Sequence, residues 1–277
     1  KNIAFGLENL KWDKPRIQAR VGELLDKLKI TQFSQRYPSE LSGGQQQRVA
    51  IARTLATEPK VLFMDEPLSN LDAKLRTEMR TELKRLHGET KSTFVFVTHD
   101  QLEAMTLSTR ACLMKDGHLQ QYAPPLEIYH APANLFVADF VGSPTMNFIE
   151  GTVAGVQADV VRIGTGGAEL VCARVDAGPA VQVGQSVVVG IRPEYLRISP
   201  EGQIRARVYS TLPSGMETVV RLDVAGQLLT SVAFGAIDFQ VDSAIGFDII
   251  EDRCVLFDSK STRNLGRGTL QMNLHAR

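Results

Sequence analysis

Apolar positions in the first part of the chain follow two periods in turn. Val21, Leu24, Leu25 and Leu28 recur at helical spacing, and Asp13-Lys14-Pro15 ahead of them supplies a cap and a first-turn proline. Val49, Ala50, Ala52, Leu55 and Ala56 predict the buried side of a second helix, which Glu58-Pro59 ends. Val61-Leu62-Phe63-Met64 is an unbroken apolar run and reads as a buried parallel strand with Asp65 and Glu66 at its C-terminal end. Leu71, Leu75, Met79, Leu83 and Leu86 mark a third helix, with Lys74 and Glu78 as a solvated i,i+4 pair and Met79 as core filling. Thr93–Val97 predicts another buried strand, ending at Thr98-His99-Asp100. Thr98 with Gln101, or Asp100 with Glu103, caps the helix that follows.

Beyond residue 110 the pattern shortens. Ala111–Met114 and His118–Tyr122 predict a hairpin turning at Asp116-Gly117. Pro124-Pro125 starts a short helix, and a second helical stretch carries Leu135, Phe136, Val137, Phe140 and Val141. Gly142-Ser143-Pro144 reads as a domain boundary. From about Asn147, short β-rich runs alternate with turns: Thr152–Val156, Asp159–Ile163, Val187–Ile191, Thr218–Asp223, Leu228–Ala233 and Arg253–Phe257. A small all-β barrel is expected, without a catalytic constellation. After Asp258 the chain carries Lys260, Arg263, Arg267 and Arg277 and no acidic residue, so a disordered end is expected. The expected division is 1–145 α/β, 146–258 β-barrel and 259–277 tail.

The totals narrow the function classes. With 31 basic and 31 acidic side chains in 277 residues, bulk charge gives no support for nucleic-acid binding. Cys112, Cys172 and Cys254 are far apart in sequence and lack histidines at metal-ligand spacing, which suits buried thiols in a reducing cytosol. No run of about 18 apolar residues occurs, so membrane association is expected to come through a partner.

Chemistry concentrates in three places. In Leu41-Ser42-Gly43-Gly44-Gln45-Gln46-Gln47-Arg48, Ser42 is a good N-cap and the glycines let backbone amides approach an anion at a helix start. Asp65 and Glu66 are paired carboxylates at a strand end. His99 stands at the same kind of edge, where open α/β sheets bind ligands. His87, His118, His130 and His275 have no such context. A Gly-x-x-x-x-Gly-Lys-Ser/Thr phosphate loop does not occur in the sequence.

These motifs resemble the signature and Walker B motifs of an ABC-transporter ATPase. Asn2-Ile3-Ala4-Phe5-Gly6-Leu7, Asp65-Glu66-Pro67-Leu68-Ser69-Asn70-Leu71-Asp72 and Thr98-His99-Asp100-Gln101 with Glu103–Leu107 extend the match. Gly142-Ser143-Pro144 with Met146-Asn147-Phe148, and Gly190-Ile191-Arg192-Pro193-Glu194, resemble the importer ATPases for oligosaccharides and sn-glycerol 3-phosphate. The resemblance implies a partial P-loop NTPase fold, lacking its first segment, followed by an OB-like, TOBE-type regulatory barrel. It implies ATP and Mg²⁺ as cofactors and hydrolysis between two ATPase domains packed head to tail. Ser42, Gly43, Gly44 and Gln45 would grip the γ-phosphate of the partner's ATP, and Asp65 would organise Mg²⁺ through water. Glu66 would act as general base, His99 would hold the γ-phosphate and water geometry, and Asp72 would couple the two sites. The implied partners are a second ATPase subunit, membrane-spanning importer subunits docked on the region between Trp12 and the signature, and indirectly a periplasmic binding protein. The implied location is peripheral, on the cytoplasmic face of a bacterial inner membrane.

On the same resemblance, the chain is expected to begin downstream of its own nucleotide-holding half, so its competence in ATP turnover stays open. Three readings follow: a truncated or mis-started importer ATPase; a non-hydrolysing subunit or decoy supplying the signature in trans; or a β-domain binding module with an inert ATPase remnant. The apolar strands 61–64 and 93–97 then expect missing neighbours, and the isolated chain is expected to aggregate. Maltose-like sugars, sn-glycerol 3-phosphate and other polyols all remain open as cargo.

Overall fold

The computed structural model describes residues 1–90, 92–176, 178–250 and 253–274. It divides into two compact units, Lys1–Thr109 and Arg110–Arg277.

The first unit runs α1 (Phe5–Asn9), α2 (Lys14–Lys27), α3 (Gly43–Ala56), β1 (Val61–Asp65), α4 (Ala73–Glu89), β2 (Thr93–Val97) and α5 (Gln101–Leu107). Asp13 caps α2 by accepting the Arg16 N–H at 2.8 Å, and Pro15 occupies the first turn. Leu24 of α2 and Leu28 at its C-terminal cap, Ile51 and Leu55 of α3, and Met79, Leu83 and Leu86 of α4 meet in one apolar core with Leu62 and Met64 of β1. β1 and β2 pair in parallel, from Val61 opposite Thr93 to Asp65 opposite Val97, with α4 as the crossover that parallel pairing requires.

Two expectations change here. The strands were expected to be buried throughout, but burial alternates along them: Phe63 is 74 % exposed and Val97 54 %. Successive side chains point to opposite faces of a strand, and only the Leu62, Met64, Phe94 and Phe96 face is backed by the helices' core. Glu78, expected to pair with Lys74, lies 3.5 Å from Arg48 of α3 instead.

The second unit opens with the expected hairpin, β3 (Ala111–Lys115) and β4 (His118–Ala123). Asp116 and Gly117 turn it with φ of 50° and 77°, the left-handed pair that a two-residue hairpin loop requires. Helices α6 (Pro125–His130) and α7 (Leu135–Phe140) follow. Then come β5 (Asn147–Gln157), β6 (Val160–Gly164), β7 (Ala168–Arg174), β8 (Ser186–Ile191), β9 (Leu196–Ile198), β10 (Ile204–Pro213), β11 (Glu217–Val224), β12 (Gln227–Phe234), β13 (Ala244–Ile249), β14 (Cys254–Asp258) and β15 (Asn264–Leu274). Instead of one barrel there are two β assemblies. One is closed, in the order β14-β15-β7-β6-β5-β8; the other is a five-stranded sheet, β12-β11-β10-β13-β9. Their inward side chains, among them Ile149, Ile163, Leu170, Val189, Val220, Leu222 and Phe247, share one core. The Asn147 carboxamide accepts the Thr230 N–H at 2.6 Å and donates to the Thr230 carbonyl at 2.8 Å, satisfying both backbone groups of that β12 residue.

Two boundaries move. Residues 110–145, expected with the α/β part, cluster with the β region. The buried Arg192 guanidinium holds them there, donating to the carbonyls of Tyr129, Ala138 and Val141 and stacking 4.1 Å from the Tyr129 ring. The expected disordered tail is corrected as well: β15 lies between β14 and β7 and completes the barrel, with Leu265 and Leu270 buried. Arg267, read as part of a free basic tail, pairs with Asp176 at 3.0 Å. Glycines at 266 and 268 thin out the apolar alternation, so this strand does not announce itself. His275 and Arg277 lie outside the described residues.

Candidate functional site

Three turns of the first unit converge on one end. Ser42 caps α3 in a reciprocal box: its Oγ accepts the Gln45 N–H at 3.4 Å, and its own N–H donates to Gln45 Oε1 at 3.1 Å. The next two residues are glycines where the helix start lies against the turn after β1. A Cβ on Gly43 would lie 3.8 Å from the Asn70 carbonyl oxygen. One on Gly44 would collide with Leu75 Cδ2 and lie 3.3 Å from Leu71 Cδ2. Asp72 caps α4, accepting the Leu75 N–H at 2.9 Å. The helix start of residues 42–45 and the turn of residues 69–72 are therefore packed together.

At the end of β1, Asp65 is exposed and Glu66 leaves the strand with φ of 42°, a left-handed conformation that costs a non-glycine residue about 1–2 kcal/mol. The Glu66 N–H donates to the Val97 carbonyl at 2.8 Å, and Ser69 Oγ donates to the Glu66 carbonyl at 2.9 Å, so the turn is pinned from both sides. This brings the Glu66 carboxylate within 2.9 Å of His99 Nδ1. The hydrogen bond with Glu66, followed by the carboxylate's charge, raises the His99 pKa above its ordinary 6.5.

His99 is held by a network around the start of α5. Asp100 caps that helix, accepting from Leu102 and Glu103 N–H, so the second of the two capping alternatives is the one formed. Thr98 donates to the buried Glu103 carboxylate at 2.7 Å and accepts the Asp100 N–H at 3.0 Å. Arg76 of α4 joins the parts: its guanidinium lies 3.4 Å from Asp100, 4.0 Å from Glu103, and donates to the Leu71 carbonyl at 3.2 Å. Arg76 was not singled out from sequence. An arginine four residues beyond a cap, on the polar side of a helix, carries no local signal of its long-range partners.

The structure thus brings Asp65, Glu66 and His99 together, and Ser42–Gln45 with Asp72, while Ser42 and Gln45 bond to one another. Asp65, exposed at the strand end, suits a divalent cation held largely by water and phosphate oxygens. Among the described residues no group of three or more His, Cys, Asp or Glu forms a protein cage for a metal. A cavity of about 1220 Å³ lies on another part of the unit, lined by Trp12, Val21, Phe33, Tyr37, Val49 and Arg53 among others. Among the described residues no helix is long and apolar enough to cross a membrane.

Family models described as ABC transporter, MalK OB fold domain and TOBE domain match residues 4–69, 142–196 and 189–257. An uncharacterized ABC transporter ATP-binding protein of Sinorhizobium fredii is 40 % identical over 93 % of this chain and 68 % of its own length. A spermidine/putrescine import ATP-binding protein of Chromobacterium violaceum is 44 % identical over 83 % of this chain and 64 % of its own length. A maltose/maltodextrin import ATP-binding protein of Vibrio cholerae is 39 % identical over 95 % of this chain and 72 % of its own length. The chain therefore spans about two thirds of the length of these relatives. With its α/β ATPase part followed by OB-fold and TOBE β domains, the chain belongs to the ATP-binding proteins of ABC importers.

Proposed function

We propose that this chain is the ATP-binding subunit of an importer that takes up a sugar or sn-glycerol 3-phosphate, acting across a head-to-tail dimer of ATPase subunits. The observation that carries the reading is the Glu66–His99 pair at 2.9 Å, built on a strained turn at the ends of two parallel strands and flanked by Asp65. Bound Mg²⁺–ATP supplies the phosphoryl group and the charge neutralisation its transfer needs. Asp65 would hold the cation through its water shell. Glu66 would accept the proton of the attacking water, and His99, bonded to that carboxylate, would orient it toward the γ-phosphate. Ser42, Gly43, Gly44 and Gln45 present a helix N-terminus to a phosphate carried by the partner subunit. Asp72, packed beside them at the start of α4, would pass the closure of one site to the other. The cavity around Trp12, Phe33 and Tyr37, whose lining mixes these rings with Glu8, Lys14, Arg36 and Arg53, would receive an amphipathic cytoplasmic helix of a membrane-spanning subunit.

The match of residues 142–196 to the MalK OB fold favours a carbohydrate-type cargo over the polyamines named in other relatives. In this reading residues 42–45 complete a nucleotide site carried by a second subunit. Mixing the chain with a complete subunit of the same family tests this. ATP turnover that requires the chain and is lost with Ser42→Arg is expected; equal turnover with both would overturn the role of residues 42–45.

A further inference from the structure

Cys172 on β7 and Cys254 on β14 are separated by a whole strand, β15, yet their sulfurs lie 3.5 Å apart in the barrel interior, both buried. Gly268 makes this possible. It pairs with Cys254 on one side and with Arg174 on the other, and a Cβ there would come within 2.9 Å of the Cys172 sulfur. The glycine leaves a gap over β15 through which the two side chains meet. Cys254 is further held by its thiol donating to the Gly268 carbonyl at 2.9 Å.

We propose that Cys172 and Cys254 form a reversible intrachain disulfide on exposure to hydrogen peroxide, a modification site that ties β14 to β7 across β15. The two sulfurs are not equivalent. The contact with the Cys254 sulfur, helped by the charge of Arg174, holds the Cys172 thiol below its ordinary value. Bonding to Cys172 and burial push the Cys254 thiol well up. Cys172 is the attacking thiolate. It attacks one oxygen of the peroxide, the O–O bond breaks, and the departing hydroxide leaves as water after taking a proton; the sulfur becomes a sulfenic acid. The Cys254 sulfur then attacks that sulfur, the S–O bond breaks, and the released hydroxide takes the Cys254 proton as a second water. Two thiols lose two electrons and one peroxide is reduced to two waters.

The strand geometry also sets how lasting the bond is. Neighbouring strands lie about 4.8 Å apart and β15 stands between β14 and β7 in the curved barrel wall, whereas disulfides favour Cα separations below about 7 Å. Closing the bridge draws the two strands inward over Gly268, and a bond under such tension is readily reduced, as regulatory disulfides are.

Cys112 is exposed and would confuse the thiol count, so the experiment uses the full chain carrying Cys112→Ser. After peroxide treatment under native conditions, the chain is alkylated, unfolded and mapped by mass spectrometry. Expected are loss of both titratable thiols, a Cys172–Cys254 linked peptide about 2 Da lighter than the reduced pair, and full reversal by dithiothreitol. Two thiols that stay titratable, or oxygen addition without the linked peptide, would overturn the proposal. Amide exchange at Thr269 and Leu270 is expected to slow about tenfold in the oxidised chain; unchanged exchange would overturn the tying of the strands. In Cys112→Ser/Cys254→Ala, dimedone is expected to label Cys172; failure to label it would remove Cys172 as the attacking thiol.

Discussion

Gly44 sits where the start of α3 meets α4, and replacing it with alanine sets two opposed effects against each other. Alanine is favoured over glycine inside a helix by up to about 1 kcal/mol, less at the second helical position. Against this, the new methyl collides with Leu75 Cδ2 and lies 3.1 Å from Leu75 Cγ and 3.3 Å from Leu71 Cδ2. Rotating Leu75 removes its Cδ2 but leaves Cγ in place, and Leu71 is buried, so part of the overlap persists. Overpacking of this kind costs about 1–3 kcal/mol. The steric effect wins, and Gly44→Ala is expected to destabilise the first unit by about 1 kcal/mol, a roughly fivefold loss in its folding equilibrium. The same substitution in a Leu75→Ala background removes the obstacle and is expected to turn neutral or stabilising by about 0.5–1 kcal/mol, a coupling of about 1.5–2 kcal/mol. Trp12 is the only tryptophan in the chain and belongs to this unit, so its fluorescence during urea titration reports this unit's unfolding. A double-mutant cycle with coupling under about 0.5 kcal/mol would refute the packing argument.

Other predictions follow from the site and the two cores. His99 has its folded pKa raised by Glu66, so its contribution to stability is complete below the unfolded value near 6.5 and disappears as pH rises through the folded midpoint; an NMR titration should place the midpoint above 6.5 and return it toward 6.5 in Glu66→Gln, and an unmoved midpoint would break the assignment. Arg192→Met removes the donor shared by the carbonyls of Tyr129, Ala138 and Val141 from a buried site. It should cost about 3 kcal/mol in urea unfolding followed by far-UV circular dichroism, and a loss under about 1 kcal/mol would show that water replaces the guanidinium. Phe63→Thr should shift size-exclusion light scattering of the chain toward monomer, because it breaks the exposed apolar face of β1 and β2; an unchanged profile would locate self-association elsewhere.

The helices and the site were legible because their signals are local. Asp13 with Pro15 and Ser42 with Gln45 each declare a helix start within four residues, and the turn at Asp116-Gly117 is equally self-contained. Asp65, Glu66 and His99 stand at strand ends, where register alone brings them together. What failed to show was long-range. Strand β15 opens with glycines at 266 and 268 in place of apolar residues, and one of its two partners, β7 with Cys172, is remote in sequence. The place of residues 110–145 is set by long-range contacts, among them the buried Arg192 some fifty to sixty residues further on and Asn264 further still. Arg76 likewise binds three groups that no pattern on α4 discloses.

The box between Ser42 and Gln45 carries a further consequence. Two of the amide hydrogens that a helix start would offer to an anion are already engaged inside the turn, one on Ser42 Oγ and one on Gln45 Oε1. An arriving phosphate must compete with the protein's own oxygens, a competition worth on the order of 1 kcal/mol, or about fivefold in affinity. Stray inorganic anions, bringing a single contact, meet that threshold unaided. A phosphate delivered on a second protein surface brings many contacts at once and overcomes it easily. On the role proposed for residues 42–45, the turn would favour a phosphate that arrives together with its carrier.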